Sequence, residues 1–102
     1  MIARHFIGKY VIVRTTGAGI HAGVLSERAS KNVVLTNSRR IWYWKGAFTL
    51  SAIAIKGLDG SRSRLGDALD EIFISDVWEI IPCSKQAQDS IENAPTSLEA
   101  SQ

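Results

Sequence analysis

The chain has 102 residues, of which 45% are hydrophobic and 22% charged, with a formal net charge of +2 at pH 7. This length accommodates one domain and leaves no room for a separate cofactor domain. The apolar runs are too short for a membrane span and the N-terminus does not resemble a signal peptide, so we expect a cytoplasmic protein. The single cysteine, Cys83, excludes an internal disulfide and a zinc site built from several cysteines. We expect one domain over residues 1–92 and a flexible, polar tail over residues 93–102.

The net charge conceals an uneven distribution. Residues 1–66 hold eleven of the twelve Lys and Arg residues and only two acids, whereas the remainder of the chain holds eight acids and one Lys. A basic half attracts anions such as phosphates, nucleotides or nucleic acid. The alternative is that the acidic half folds back on the basic half and neutralises it.

The first half of the chain has the composition of β-strands. Segments rich in β-branched and aromatic residues alternate with Gly-, Ser- and Asn-rich segments, which predicts strands over residues 9–15, 20–25, 32–37 and 38–45. The first two would form a hairpin across the Gly-rich residues 16–19. Residues 26–32 are polar and predict a turn.

A change of hydrophobic period after the fourth strand predicts a short helix. Leu50 and Ile53 follow helical spacing, Thr49 is placed to cap the helix, and Gly57 is placed to end it. Phe48 and Ile53 are spaced for a hydrophobic staple. A helix of about two turns is unstable alone and must pack on the sheet.

The acidic half predicts a polar loop, further strands and a closing helix. Strands are expected over residues 71–75 and 77–81, or one bent strand over both segments, and Ser84 is placed to cap a helix that buries Ala87 and Ile91. The whole pattern predicts an α+β fold. It comprises a strongly bent, mainly antiparallel sheet of about five strands, or a partly open barrel, with a short inserted helix and a C-terminal helix.

Residues 39–45, RRIWYWK, form an aromatic–basic segment. Alternation in a strand places three side chains on each face: Arg40, Trp42 and Trp44 on one, and Arg39, Ile41 and Tyr43 on the other. Trp and Tyr stack on nucleobases and Arg pairs with phosphate, so the segment predicts a site for a nucleotide or single-stranded nucleic acid. The alternative is that the two tryptophans belong to the core and Arg40 reaches solvent at the sheet edge.

His21 lies within the Gly-rich stretch TGAGIHAG. This stretch lacks the ending of a phosphate loop, and no helix follows it, which excludes a dinucleotide-binding fingerprint as well. The glycines would serve the hairpin turn or let a ligand approach the backbone. His21 would either hydrogen-bond that ligand or be an ordinary sheet residue.

The sequence contains no recognisable set of catalytic residues. The sequence has no Cys/His pair at informative spacing, no nucleophile elbow and no His/Asp/Glu set resembling a metal site. Asp67, Asp70 and Glu71 are interpreted as a solvated acidic run, and Cys83 as a small packed hydrophobe. We therefore expect a protein that is not an enzyme and has no metal or cofactor.

The stretches GIHAGVL, VVLTNSRRIWYWKGAFTLSAIAIKGL and DEIFISDVWEIIPC resemble a family of small, largely uncharacterised proteins encoded chiefly by bacteriophages and prophages. The resemblance covers about residues 8–92, and its most specific part is the run RRIWYWKGA. The resemblance implies a phage origin and a shared fold more firmly than it implies any particular biochemical activity. Small phage proteins without a catalytic constellation often bind a host component. One such class is the sponges that sequester nucleotide second messengers made by Thoeris or CBASS defence systems.

These observations predict a non-enzymatic phage protein of the host cytoplasm that binds a nucleotide-derived ligand and forms a homo-oligomer. Arg39 and Arg40 would hold phosphate or ribose, the tryptophans or Tyr43 would stack on the base, and His21 would add a hydrogen bond. Anionic oxygen would bind just before the short helix, at Lys45 and at the backbone N–H groups of Gly46 and Ala47. The alternatives are a small nucleic-acid-binding module on the same surface and an inhibitor that docks on a host protein.

Overall fold

The computed structural model describes residues 6–96 as a bent, unclosed sheet of six antiparallel strands with two short helices. The strands are β1 (Tyr10–Thr15), β2 (Ile20–Ala29), β3 (Asn32–Tyr43), β4 (Arg64–Leu65), β5 (Leu69–Ile74) and β6 (Val77–Pro82). Helix α1 (Leu50–Lys56) and a 3-10 turn (Gly60–Arg62) lie between β3 and β4, and helix α2 (Lys85–Glu92) follows β6. The predicted fold class is therefore confirmed. No helix within residues 6–96 is long and apolar enough to cross a membrane.

The strand order requires the bend. β1 pairs with β2 and β6, β2 pairs with β3, and both β4 and β5 pair with the other edge of β3. β5 and β6 thus lie at opposite edges of the sheet, although only Ser75 and Asp76 connect them. The three peptide steps from the end of β5 to the start of β6 span at most about 11 Å. Opposite edges approach this closely only when the sheet curls towards itself.

Two apolar clusters lie on the two faces of the sheet. Alternate residues of β1 divide between them, which explains why this strand is almost continuously apolar. The helix-side cluster joins the sheet to α1 and α2 and includes Tyr10, Ile12, Ile41, Ile53 and Ile91. The inner cluster contains strand residues from both edges of the sheet and fills the inside of the bend, with Val11, Val13, Leu25, Leu35 and Ile74 among its members.

A bulge at Asn37 reverses the faces of β3. Leu35 belongs to the inner cluster and Ile41 to the helix-side cluster, although their positions differ by an even number and a regular strand would place them on one face. From the Ala22–Arg39 pair to the Val24–Thr36 pair, β2 advances by two residues but β3 by three. Asn37, with φ of 51°, is therefore an extra residue in the ladder. The two strands predicted over residues 32–37 and 38–45 are one strand, and the predicted break coincides with this bulge.

Local signals for the helices are largely confirmed. The Thr49 hydroxyl accepts a hydrogen bond from the Ala52 N–H at 3.1 Å, and Gly57 ends α1 with φ of 89°. The predicted hydrophobic staple is wrong: Ile53 is fully buried, whereas Phe48 is fully exposed and contributes nothing to the packing of α1.

Ser84 caps α2 as expected, with its hydroxyl accepting from the Ala87 N–H at 3.1 Å. Ala87 and Ile91 are buried, and Cys83 packs against the helix-side cluster. Burial raises the pKa of the Cys83 thiol to about 12. The prediction that Cys83 behaves as a small hydrophobe is thus confirmed.

Segments outside the predicted strands and helices are also structured, and β4 and the 3-10 turn lie in the stretch predicted to be a polar loop. β2 continues to Ala29 through residues predicted to be a turn, with a register irregularity between Leu25 and Glu27. After α2, Ala94 is buried and Thr96 forms a bridge with Leu65, so packing extends beyond the predicted domain boundary. The rest of the predicted tail, and the first five residues, lie outside the described residues.

Candidate functional site

The aromatic–basic segment divides between the two faces of the sheet. Arg39 and Ile41 are buried on the helix side, whereas Arg40 and Trp42 are exposed on the opposite face. The predicted alternation is therefore correct for these four residues. It ends at Tyr43, where β3 stops and the pairing with β4 is irregular.

Arg39 is part of the scaffold. Its side chain is only 5% exposed. Nε donates to the Gly66 carbonyl at 2.8 Å, and Nη1 donates to the carbonyls of Ile91 at 2.7 Å and Ala94 at 2.5 Å. These bonds tie β3 to the end of α2. Because they hold the guanidinium inside the protein, Arg39 does not belong to the candidate site, in contrast to the sequence-based prediction.

Arg40, Trp42 and His21 meet in a surface recess of about 320 Å³, which we call pocket A. This volume is at the lower end of the range for small-molecule sites, about 300–1,000 Å³. The recess combines a cation, an indole, an imidazole and a carboxylate with two aliphatic side chains. Its residues are His21, Arg40, Trp42, Gly66, Asp67, Leu69 and Ile72.

Neighbouring strands and one turn hold pocket A together. His21 lies opposite Arg40 in the β2–β3 ladder. The Ala18 carbonyl accepts hydrogen bonds from both side chains, from His21 Nε2 at 2.8 Å and from Arg40 Nη2 at 2.5 Å. The Thr15 hydroxyl orders the same turn by accepting from the Ala18 N–H and donating to the Gly19 carbonyl.

The hydrogen bond at Ala18 determines the state of His21. A carbonyl only accepts, so Nε2 carries the proton. Burial lowers the pKa of His21, and the charge of Arg40 lowers it further, against the opposite effect of the bond to Ala18. The ring is therefore neutral at pH 7, and Nδ1 is an acceptor without a protein partner among residues 6–96. Nδ1 can accept a hydrogen bond from a ligand.

The state of His21 predicts a pH dependence of stability. In the unfolded chain His21 protonates near pH 6.5, whereas the folded pKa is lower. The contribution of His21 is fully present above pH 6.5 and is lost as the pH falls through the folded pKa. We expect the free energy of unfolding to fall more steeply between pH 7 and 5 in the wild type than in His21→Gln. Urea unfolding at several pH values measures this, and parallel curves would contradict it.

Asp67, Leu69 and Ile72 are pocket residues for which the sequence contains no functional signal. Pairing of β3 with β5 places Leu69 opposite Ser38 and Ile72 opposite Leu35. The Gly66 N–H donates to the Arg40 carbonyl at 2.9 Å, which places Asp67 at the pocket. In residues 6–96 no cluster of three His, Cys, Asp or Glu side chains could hold a metal ion.

A second recess shares two residues with pocket A. This pocket B, of about 350 Å³, lies at the end of the β2–β3 ladder, and its residues are Gly19, Ile20, Arg40, Ile41 and Trp42. Its lining contains no acidic side chain. Arg40 and Trp42 therefore stand between two recesses of similar volume.

The other predicted site residues form a separate turn. Trp44, Lys45, Gly46 and Ala47 line a third recess of about 480 Å³ with Phe48. Trp44 Nε1 donates to the Ala47 carbonyl at 3.1 Å, and its ring packs against the helix-side cluster.

The turn also has structural constraints. Gly46 has φ of 94°, and a Cβ there would lie 2.9 Å from the Asp59 backbone nitrogen. Between this turn and pocket A, Tyr43 is exposed and Lys45 Nζ lies 5.7 Å from its ring centroid. Eight of the nine predicted site residues are thus divided among the scaffold, pockets A and B, and this turn, and Tyr43 lies exposed between the turn and pocket A.

The fold and its recesses define a small α+β domain whose bent sheet carries an open, mixed polar and apolar pocket. Residues 8–91 match the family described as a domain of unknown function (DUF6948), and this match covers most of the chain. The protein therefore belongs to this family. Neither the curated proteins nor the solved structures include a match to the chain. The phage origin implied by the sequence resemblance stays a prediction.

Proposed function

We propose that pocket A binds a nucleotide-derived ligand without chemically converting it. The observation that supports this most directly is the position of Trp42 and Arg40, side by side on the open face of β3 and next to a neutral histidine. Together these groups provide a stacking surface, a phosphate partner and a hydrogen-bond acceptor.

Trp42 supplies the stacking surface. Its side chain is 53% exposed, although it lines both pockets. Aromatic side chains stack on any nucleobase, and this contact is worth about 1–3 kcal/mol per base. Leu69 and Ile72 add an apolar surface in pocket A. The edge of a stacked base would face polar groups in the same recess.

Arg40 and Asp67 favour opposite ends of a nucleotide. A guanidinium has five N–H donors, of which the Ala18 carbonyl engages one on Nη2, and its planar fork matches phosphate oxygens. The Asp67 carboxylate repels phosphate. Both this carboxylate and Nδ1 of His21 accept hydrogen bonds from N–H or O–H groups. The favoured orientation places the phosphate at Arg40 and the base or sugar towards Asp67 and His21.

Sequestration of a nucleotide signal is the biological role that we propose. It is supported by this chemistry, by the resemblance to a family of small phage proteins, and by analogy with other small phage proteins that bind messengers of host defence. A single-stranded nucleic acid is the second candidate, because exposed Tyr43 and Lys45 extend the aromatic–basic surface beyond pocket A. Binding to a nucleic-acid backbone should weaken steeply as the salt concentration rises.

Substitution of Trp42 tests the proposed site. We expect Trp42→Ala to weaken nucleotide binding by about 1–3 kcal/mol, the contribution of one stacked base. Trp78→Ala is the matched control: Trp78 is 64% exposed, lies on β6 and contacts Arg14 rather than the pocket. Isothermal titration with a panel of mono- and dinucleotides measures affinity. Equal affinities of folded Trp42→Ala and wild type would contradict the proposed site.

A further inference from the structure

We infer that the site takes a dinucleotide, a ligand with two ring-bearing ends joined through phosphate, in preference to a mononucleotide. This inference rests on the proposed function and specifies its ligand class. The observation behind it is that Arg40 and Trp42 belong to both pocket A and pocket B.

The geometry makes the shared pair a junction between two recesses. Arg40 and Trp42 lie two residues apart on the same face of β3, which corresponds to about 7 Å along the strand. Pocket A is completed by His21, by residues of β5 and by the segment before it, whereas pocket B is completed by Ile20 at the start of β2 and by Gly19 just before it. A ligand that contacts this pair can therefore enter both recesses.

Size and charge favour a two-ended ligand. Each recess is near the lower limit for a small-molecule site, so one base and sugar suffices to occupy it. Asp67 in pocket A disfavours phosphate, whereas pocket B has Ile20 and no acidic side chain in its lining. Arg40 is the cation common to both recesses. This arrangement suits a dinucleotide that places one base and sugar in each recess and its connecting phosphate at Arg40.

Direct comparison of ligands is the first test. The probes are AMP and GMP, the linear dinucleotides ApA and GpG, and the cyclic dinucleotides of adenine and guanine, each titrated into the full chain by calorimetry. Linking the second base makes its binding intramolecular, so at least one dinucleotide should bind at least about tenfold more tightly than its own mononucleotide, with one ligand per site.

Variants on the two sides of the junction give the second test. Ile20→Ala shortens the pocket B wall and should reduce dinucleotide affinity while leaving mononucleotide affinity unchanged. Leu69→Ala in pocket A should reduce the affinity for both. Ile55→Ala, on the exposed side of α1, is the control and should change neither. Thermal unfolding establishes that each variant is folded, and the comparison of ligands on the wild type does not depend on any variant.

The outcomes separate this inference from the proposed function. Equal affinity for mono- and dinucleotides would contradict the inference that one ligand occupies both recesses, and would leave the proposed nucleotide binding intact. Absence of binding by every probe would overturn both. Affinity that rises steadily with oligonucleotide length and falls steeply with salt would replace the dinucleotide by a single-stranded nucleic acid.

Discussion

Replacement of Arg39 by Met is expected to lower the free energy of unfolding by about 3 kcal/mol or more. The substitution keeps an apolar stem of similar length but removes the donors of three hydrogen bonds, which leaves the carbonyls of Gly66, Ile91 and Ala94 without these partners. Hydrogen bonds to charged groups contribute about 1.5–3 kcal/mol each, and three of them are lost together. Urea unfolding followed by circular dichroism measures the change.

Arg40→Met is the matched control for this prediction. Arg40 is the adjacent residue, but it is exposed on the opposite face of β3 and donates to the Ala18 carbonyl at the edge of pocket A. We expect its loss to change the free energy of unfolding by less than about 1 kcal/mol and to weaken nucleotide binding. Similar stability of the two variants would contradict the assignment of Arg39 to the scaffold. A stable Arg40→Met variant with unchanged binding would instead contradict the proposed site.

Gly23→Ala is expected to destabilise the protein by about 1–3 kcal/mol, the usual cost of overpacking a buried position. A Cβ at this position would lie 2.9 Å from the Thr36 carbonyl oxygen and 3.0 Å from the Ser38 Cα atom. Both contacts belong to the backbone of β3 beside the Asn37 bulge, which cannot move without disturbing the β2–β3 ladder. Glycine is required here because the extra residue brings the two backbones into close approach.

Gly17→Ala provides the control for the substitution of Gly23. Gly17 lies in the turn between β1 and β2, has no positive φ, and has no atom within 4 Å of a Cβ built on its backbone. Its replacement should change the stability by less than about 0.5 kcal/mol. Thermal and urea unfolding of both variants distinguish close packing from a general sensitivity of the hairpin to alanine. Equal effects at the two positions would exclude the close approach at the bulge.

Local physical chemistry made several features of this protein predictable. The capping hydroxyls of Thr49 and Ser84 act on backbone groups within the same turn of chain, so their function is readable from a few neighbouring residues. The alternation from Arg39 to Trp42 follows from the geometry of an extended strand, which has a period of two. The staple at Phe48 failed because it depends on the direction in which the preceding turn leaves the sheet.

The division of roles between Arg39 and Arg40 was beyond local reasoning. The two residues are identical in type and adjacent in sequence, and alternation alone states that they face apart, without stating which face is covered. The position of α2 decides it, because the carbonyls of Ile91 and Ala94 meet Arg39 only after the chain has folded back.

The sequence by itself determined the α+β class, most of the strands, both α-helices and the position of the aromatic–basic segment. Only the tertiary structure decided which residues of that segment face a pocket and which residues from elsewhere complete it. Leu69 reaches pocket A through the pairing of β3 with β5, Asp67 through the hydrogen bond between Gly66 and Arg40, and the bulge at Asn37 determines the face on which Arg40 lies. Both features depend on contacts between residues far apart in the chain, which the pattern of neighbouring residues does not encode.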